Sequence, residues 1–219
     1  MCSKLKKSEC LKNTGCEWIV GKGCRKVKEE VFVKPTREQL WESDDTKLWK
    51  QVLKNYDAIL STSKKANFKE IDDWYYNELA KTIKHRNYIT KEEHVKLIEW
   101  KLRRGQYRPA LMKYAKQLTD EEVVKASENA LKQTDIKKMF DEYSVLKGVS
   151  VASASALCSA KYEHIPFMSD ELLATVIGGT SWKYTLKEYK VCLEKLEEKC
   201  KKVQLSQKNV EKALFVSSL

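Results

Sequence analysis

Four copies of one short pattern do most to restrict what this chain can fold into. Thr36-Arg-Glu-Gln39, Thr90-Lys-Glu-Glu93, Thr119-Asp-Glu-Glu122 and Thr185-Leu-Lys-Glu188 each place a threonine three residues before a glutamate or glutamine. At that spacing the hydroxyl and the longer side chain reciprocally bond amides that the start of a helix would otherwise leave unpaired. Each copy therefore marks a helix start, and apolar residues recur behind it with a period near 3.6. Val95, Ile98 and Leu102 follow Thr90, while Leu186, Tyr189, Leu193, Leu196, Cys200 and Val203 follow Thr185. Two more stripes run through Leu48, Trp49, Val52, Leu53, Tyr56, Ile59 and Leu60, and through Ile71, Trp74, Tyr75, Leu79 and Ile83. Their aromatic residues are read as core. With only seven Gly and three Pro to interrupt it, the chain is expected to be mainly α, a compact helical bundle.

The first thirty residues differ from the rest. Cys2, Cys10, Cys16 and Cys24 are spaced through them with Trp18 and the basic Lys4, Lys6, Lys7, Lys12, Lys22, Arg25, Lys26 and Lys28. No Cys-x-x-Cys pair is present, which weakens a zinc site. Free thiols in an intracellular compartment and two disulfides in a virion or oxidising compartment stand beside it as readings. The expected organisation is a small Cys-rich basic segment over 1–30, a linker over 31–36 broken by Pro35, and a helical domain over 37–219. No stretch approaches the ~18 apolar residues that span a membrane, and no signal peptide core opens the chain. A nuclear or otherwise intracellular protein without membrane contact is expected, with a virion as the other setting.

The charge is uneven. The net charge is +11, yet residues 81–116 hold eleven Lys or Arg against three Glu, while residues 117–182 hold six Lys against ten acids. A basic face of this kind attracts phosphate backbones, although a solvated lysine-rich helix face gives the same composition. Lys101, Arg103, Arg104 and Arg108 flank Gly105 and are the candidate phosphate contacts, since guanidinium geometry matches phosphate oxygens. Trp182 and Tyr184 stand in a glycine-containing loop, placed either to border a pocket or to anchor the loop on the core. Other chemistries find little footing. Three scattered histidines (His85, His94, His164) offer no metal-ligand spacing, and no glycine-rich nucleotide loop occurs, so no metal or cofactor is expected. Cys158 lies among small residues and reads as packing.

Ile136, Met139, Phe140, Tyr143 and Leu146 form one helix face, and Gly148 is placed to end that helix in a left-handed cap. A second helix opens near Val151, its Ala152, Ala154, Ala156 and Ala160 allowing close packing. Lys147, Gly148, Val149 and Ser150 form the joint, where amides at a helix start can face a phosphate. This stretch resembles the helix-hairpin-helix motif, Leu-x-Gly-Val-Gly-x-x-x-Ala, and departs from it at Ser150, where the family has its second glycine. The resemblance extends to the DNA glycosylase superfamily that carries the motif. There a catalytic aspartate follows the second glycine by about twenty residues, and here Asp170 follows Ser150 at that distance with Pro166 between. The resemblance implies duplex DNA as partner and Asp170 as catalytic carboxylate. It implies a monofunctional enzyme, because Ala152 stands where bifunctional members have a nucleophilic lysine, and no four-cysteine iron-sulfur loop is present. Ser169-Asp-Glu-Leu-Leu also fits an ordinary helix start. The chain further resembles an uncharacterised eukaryotic family with the motif Trp-Lys-x-x-Arg-Gly-x-x-Arg-Pro, here Trp100 to Pro109, which supplies a fold expectation and no activity. Two functions follow. One is a DNA-binding protein acting as a glycosylase-like base-excision enzyme. The other is a non-enzymatic module that binds DNA, or binds protein through the Cys-rich segment or the 185–203 helix. A cavity beside Asp170 able to take an extruded base separates them.

Overall fold

The computed structural model describes residues 2–12, 16–26, 32–63 and 67–219. Lys28 and Val31, within the basic segment and linker expected from the sequence, lie outside these residues, as does the side chain of Cys2. The chain divides into two compact units, Met1–Val33 and Lys34–Leu219.

In the first unit a helical turn, α1 (Lys7–Cys10), precedes an antiparallel hairpin of β1 (Cys16–Ile19) and β2 (Gly23–Lys26). The register sets Trp18 opposite Cys24. A unit this small buries little apolar surface, and covalent staples take that role. Cys10 and Cys24 form a disulfide with Cα atoms 5.9 Å apart. Cys16 is disulfide-bonded as well.

The second unit is helical throughout. It contains α2 (Arg37–Glu42), α3 (Thr46–Lys54), α4 (Tyr56–Leu60), α5 (Phe68–Asp73), a π-helical turn (Trp74–Leu79), α6 (Ala80–Arg86), α7 (Lys91–Arg104) and α8 (Pro109–Gln117). There follow α9 (Asp120–Lys132), α10 (Ile136–Tyr143), α11 (Val151–Lys161), α12 (Asp170–Val176), α13 (Leu186–Val203) and α14 (Gln207–Ser218). All four threonine patterns close as capping boxes, at the heads of α2, α7, α9 and α13. Two helices lie inside the unit. In α11 every residue from Ala152 to Ala160 is buried, and in α14 the same holds from Ala213 to Ser217. Small side chains admit α11 close to its neighbours, while α14 is enclosed by α2, α3, α4, α12 and α13. No helix of the described residues is long and apolar enough to cross a membrane.

The structure corrects the sequence reading in three places. The stripe over 46–60 is two helices, because Asn55 ends α3 by turning its own Nδ2 to the Gln51 carbonyl at 2.8 Å. Residues 34–36 do not form a free linker, since Pro35 is buried and Lys34 Nζ donates to the Ser217 carbonyl at 3.2 Å. Finally, Gly148 is not the cap of α10, which ends at Tyr143. Gly148 sits instead in a separate turn in which Val149 N–H donates to the Leu146 carbonyl at 3.1 Å. Its φ of +87°, with Lys147 at negative φ, is the geometry of a type II turn, which wants glycine at its third position. A Cβ there would meet the Tyr114 ring at 2.9 Å, so both the backbone and the neighbour demand glycine.

Candidate functional site

The site grows from the end of α7. The Trp100 ring is buried and stacks on Tyr75 with ring centres 3.5 Å apart, and its Nε1 donates to Asp72 at 2.8 Å. That fixes the rotation of the last turn, on which three side chains then diverge. Arg104 turns inward. Its guanidinium donates to both Glu211 oxygens, at 2.6 and 3.3 Å, and lies 3.8 Å from the Phe215 ring centre. With 2% of its surface exposed and its guanidinium bonded to Glu211, Arg104 is built into the interior rather than held out on the basic face the sequence suggested, although it also borders the pocket described below. Arg103 points along the helix and pairs with Glu99 at 2.6 Å. Lys101 goes the third way, its Nζ donating to Ser153 Oγ in the first turn of α11 at 3.0 Å.

Gly105 ends α7 and meets Asp170. A Cβ at position 105 would stand 3.1 Å from Asp170 Oδ2, so the missing side chain lets the carboxylate lie against the backbone. Asp170 is the first residue of α12, but Ser169 does the capping, its Oγ accepting the Leu172 N–H at 3.2 Å. The aspartate side chain is therefore spared for another partner. Its Oδ1 accepts a hydrogen bond from the Tyr184 hydroxyl at 2.7 Å. Tyr184 holds a left-handed backbone, φ +54°, at the end of the loop that precedes α13, and the Arg108 guanidinium lies 5.4 Å from its ring centre. Pro109 then starts α8 directly after Arg108.

Lys101, Arg108, Ser150, Ala152, Asp170 and Tyr184 line one pocket of about 40 Å³. Four of the sequence-predicted cations or joint residues, Lys101, Arg104, Arg108 and Ser150, and the predicted carboxylate thus come together from segments far apart in the chain. Val149, Gly148, Lys147 and Arg103 do not line it. Lys147 is exposed on the preceding turn, its Nζ 4.8 Å from the Tyr114 ring centre. Ser150 is the N-cap of α11 yet makes no side-chain capping bond, so its hydroxyl leaves the first amides of that helix uncovered. Burial pulls the Lys101 amine down to about 8, with Arg108 adding repulsion and Asp170 opposing both. Burial, then Asp170, pushes the Tyr184 phenol up to about 12. An amine and a phenol perturbed together in one cleft are the pattern of a working site.

Size limits the chemistry. About 40 Å³ holds roughly three waters or one small anion, whereas a cavity that takes benzene is ~150 Å³. A nucleobase is larger than benzene, so the pocket as folded does not accommodate one.

Of the two partners that complete this geometry, only one is signalled in the sequence. Tyr184, an aromatic residue in a glycine-containing loop, reads there as a pocket border or, more readily, as a loop anchor, and here it lines the pocket. Glu211 offers no signal, since 107 residues separate it from Arg104. No family model matches the chain, and comparison with curated proteins and with solved structures finds no match.

Proposed function

We propose that this protein binds the sugar-phosphate backbone of duplex DNA at the head of α11. One observation carries the reading. Lys101 from α7, Arg108 from the turn before α8 and the uncovered amides at the start of α11 converge on one anion-sized pocket. A helix start with aligned amides and two cations suits a phosphate oxygen, and the resemblance of residues 146–158 to the helix-hairpin-helix motif supports the same use. Lys101, Arg108 and the α11 amides are suited to phosphate oxygens rather than to base edges, so binding largely independent of sequence is expected. Base excision at Asp170 is the second reading. It is favoured by the place of that carboxylate beside the phosphate site, and it needs the Tyr184 loop to move aside before a base can enter.

The test is fluorescence anisotropy with a labelled 20-bp duplex across a salt series. Wild type should bind with a steep salt dependence. Lys101→Gln with Arg108→Gln should weaken every sequence alike and flatten the slope by about one for each cation removed from a phosphate. Lys201→Gln, on exposed α13 surface, should change neither. An isotherm indifferent to salt, or a double variant that binds as wild type does, overturns the reading. For the second reading, duplexes with deaminated, alkylated and oxidised bases are scored for abasic sites. Asp170→Asn should abolish release and keep binding.

A further inference from the structure

A second carboxyl lines the pocket. Glu171 follows Asp170 on α12 and borders the same space. Its Oε2 is buried and has no hydrogen-bond partner among the described residues. A buried carboxylate oxygen left without a donor is costly, and proteins satisfy such atoms or keep them neutral. We propose that Glu171 is the proton-bearing wall of this pocket, a neutral carboxylic acid whose side chain donates a hydrogen bond to an oxygen of the phosphate that Lys101 and Arg108 draw in. This rests on the backbone-binding reading above and adds to it the group that meets the far side of the anion.

The surroundings favour the neutral form. Burial raises the Glu171 carboxyl above the ordinary glutamate range, and Glu211 and Asp170 push the same way. Arg104 and a backbone hydrogen bond to the carboxyl oppose burial, but the Arg104 guanidinium is already bonded to both oxygens of Glu211 and the net direction is upward. The other helices packed on α12 are α2, α13 and α14. On α2, Arg37 is paired with Glu38. On α13, Tyr189 donates to the Pro166 carbonyl and Glu188 accepts from the Thr185 and Lys183 amides. Lys208 of α14 is paired with Glu163. Lys101, Arg108 and Tyr184 face the group across the pocket itself. Two neighbouring carboxyls with different environments are the usual way a site holds one proton in place at neutral pH. Here Asp170 takes a hydrogen bond from Tyr184, and Glu171 keeps its own proton to give.

The test has two arms on the full-length protein. In the first, the chain is labelled with ¹³C at glutamate carboxyls, and the Glu171 resonance is identified by its loss in Glu171→Gln. It should titrate above the exposed glutamates and should shift when inorganic phosphate is added. In the second, duplex affinity is followed against pH in wild type and Glu171→Gln. Both share the Lys101 titration, so their difference isolates Glu171. Wild type should lose at least about tenfold more affinity than the variant as pH rises through the Glu171 midpoint, because a glutamine amide donates at any pH. A Glu171 that titrates with the exposed glutamates, or a variant that follows the wild-type curve, overturns the proposal. If the duplex does not bind while phosphate still shifts the resonance, the DNA reading falls and Glu171 stands as a phosphate ligand. If neither moves the resonance, Glu171 has no such role.

Discussion

Replacing Arg104 by methionine tests both the packing and the functional assignment. The guanidinium and the Glu211 carboxylate are each 1% exposed at their side chains and 2.6 Å apart, so the variant strands a carboxylate in the interior with no cation. Breaking a buried pair from one side costs about 3–5 kcal/mol, most of it the uncompensated charge. In a domain of this size each kcal/mol moves Tm by about 2–4 °C, which gives a fall of roughly 6–20 °C. Arg104→Met with Glu211→Leu removes both charges, fills much of the same space against Phe215 and Trp100, and should recover most of the loss. The assay is urea and thermal unfolding followed by circular dichroism. The salt-dependent DNA titration is then run on the double variant, where binding should match wild type. A single variant within about 1 kcal/mol of wild type refutes the buried-charge argument. A stable double variant with a flattened salt slope places Arg104, which borders the pocket, among the phosphate contacts and refutes a purely internal role.

Three other outcomes follow. Gly105→Ala should cost at least about 1 kcal/mol in unfolding, because a Cβ there meets Asp170 Oδ2 at 3.1 Å. Combining it with Asp170→Ser should erase that penalty in a double-mutant cycle, and simple additivity would count against the contact. Asp170→Asn should bring the Tyr184 phenol from about 12 toward its ordinary value, read as an ultraviolet difference titration against Tyr184→Phe; an unmoved phenol would leave burial as the whole cause. His94, bonded to the Tyr143 hydroxyl at 2.6 Å, is held by burial at about 4 against 6.5 unfolded. The unfolded chain takes up that proton first, so the contribution is complete above pH 6.5 and drains away as pH falls toward 4, by about 3 kcal/mol in all. Unfolding free energies of His94→Gln over the same interval should show a correspondingly shallower slope, and an equal slope would dismiss His94 as the source.

What could be read from the residues was local. Each capping box is complete within four residues, and Gly148 announced a positive φ by itself. The helix that Gly148 seemed to end was harder, because the apolar spacing runs on to Leu146, which is buried in the turn beyond α10. Position 104 shows where local evidence stops. Arg103 and Arg104 look alike in sequence, and Val95, Ile98 and Leu102 give α7 one inner face, packed on Ala115 of α8. A second stripe was there to be found. Leu97, Trp100 and Arg104 also follow helical spacing and are all buried, so α7 is covered on two sides. The partner that neutralises Arg104 could not be inferred, and neither could the enclosure of α14, where Lys208 and Glu211 are buried beside its apolar residues.

Tyr114 gives the turn at Gly148 a connection that its sequence does not suggest. The ring rests against Gly148 from α8, and the residue directly before α8 is Arg108. An α-helix of nine residues is stiff over its ~13 Å length, so the segment from Pro109 to Gln117 acts as a short lever between the pocket and the turn. Under the proposed phosphate binding, a shift of Arg108 is carried along α8 to the contact of Tyr114 with Gly148. Hydrogen exchange at Val149 should therefore slow when phosphate fills the pocket, and less so in Tyr114→Ala if α8 carries part of the effect.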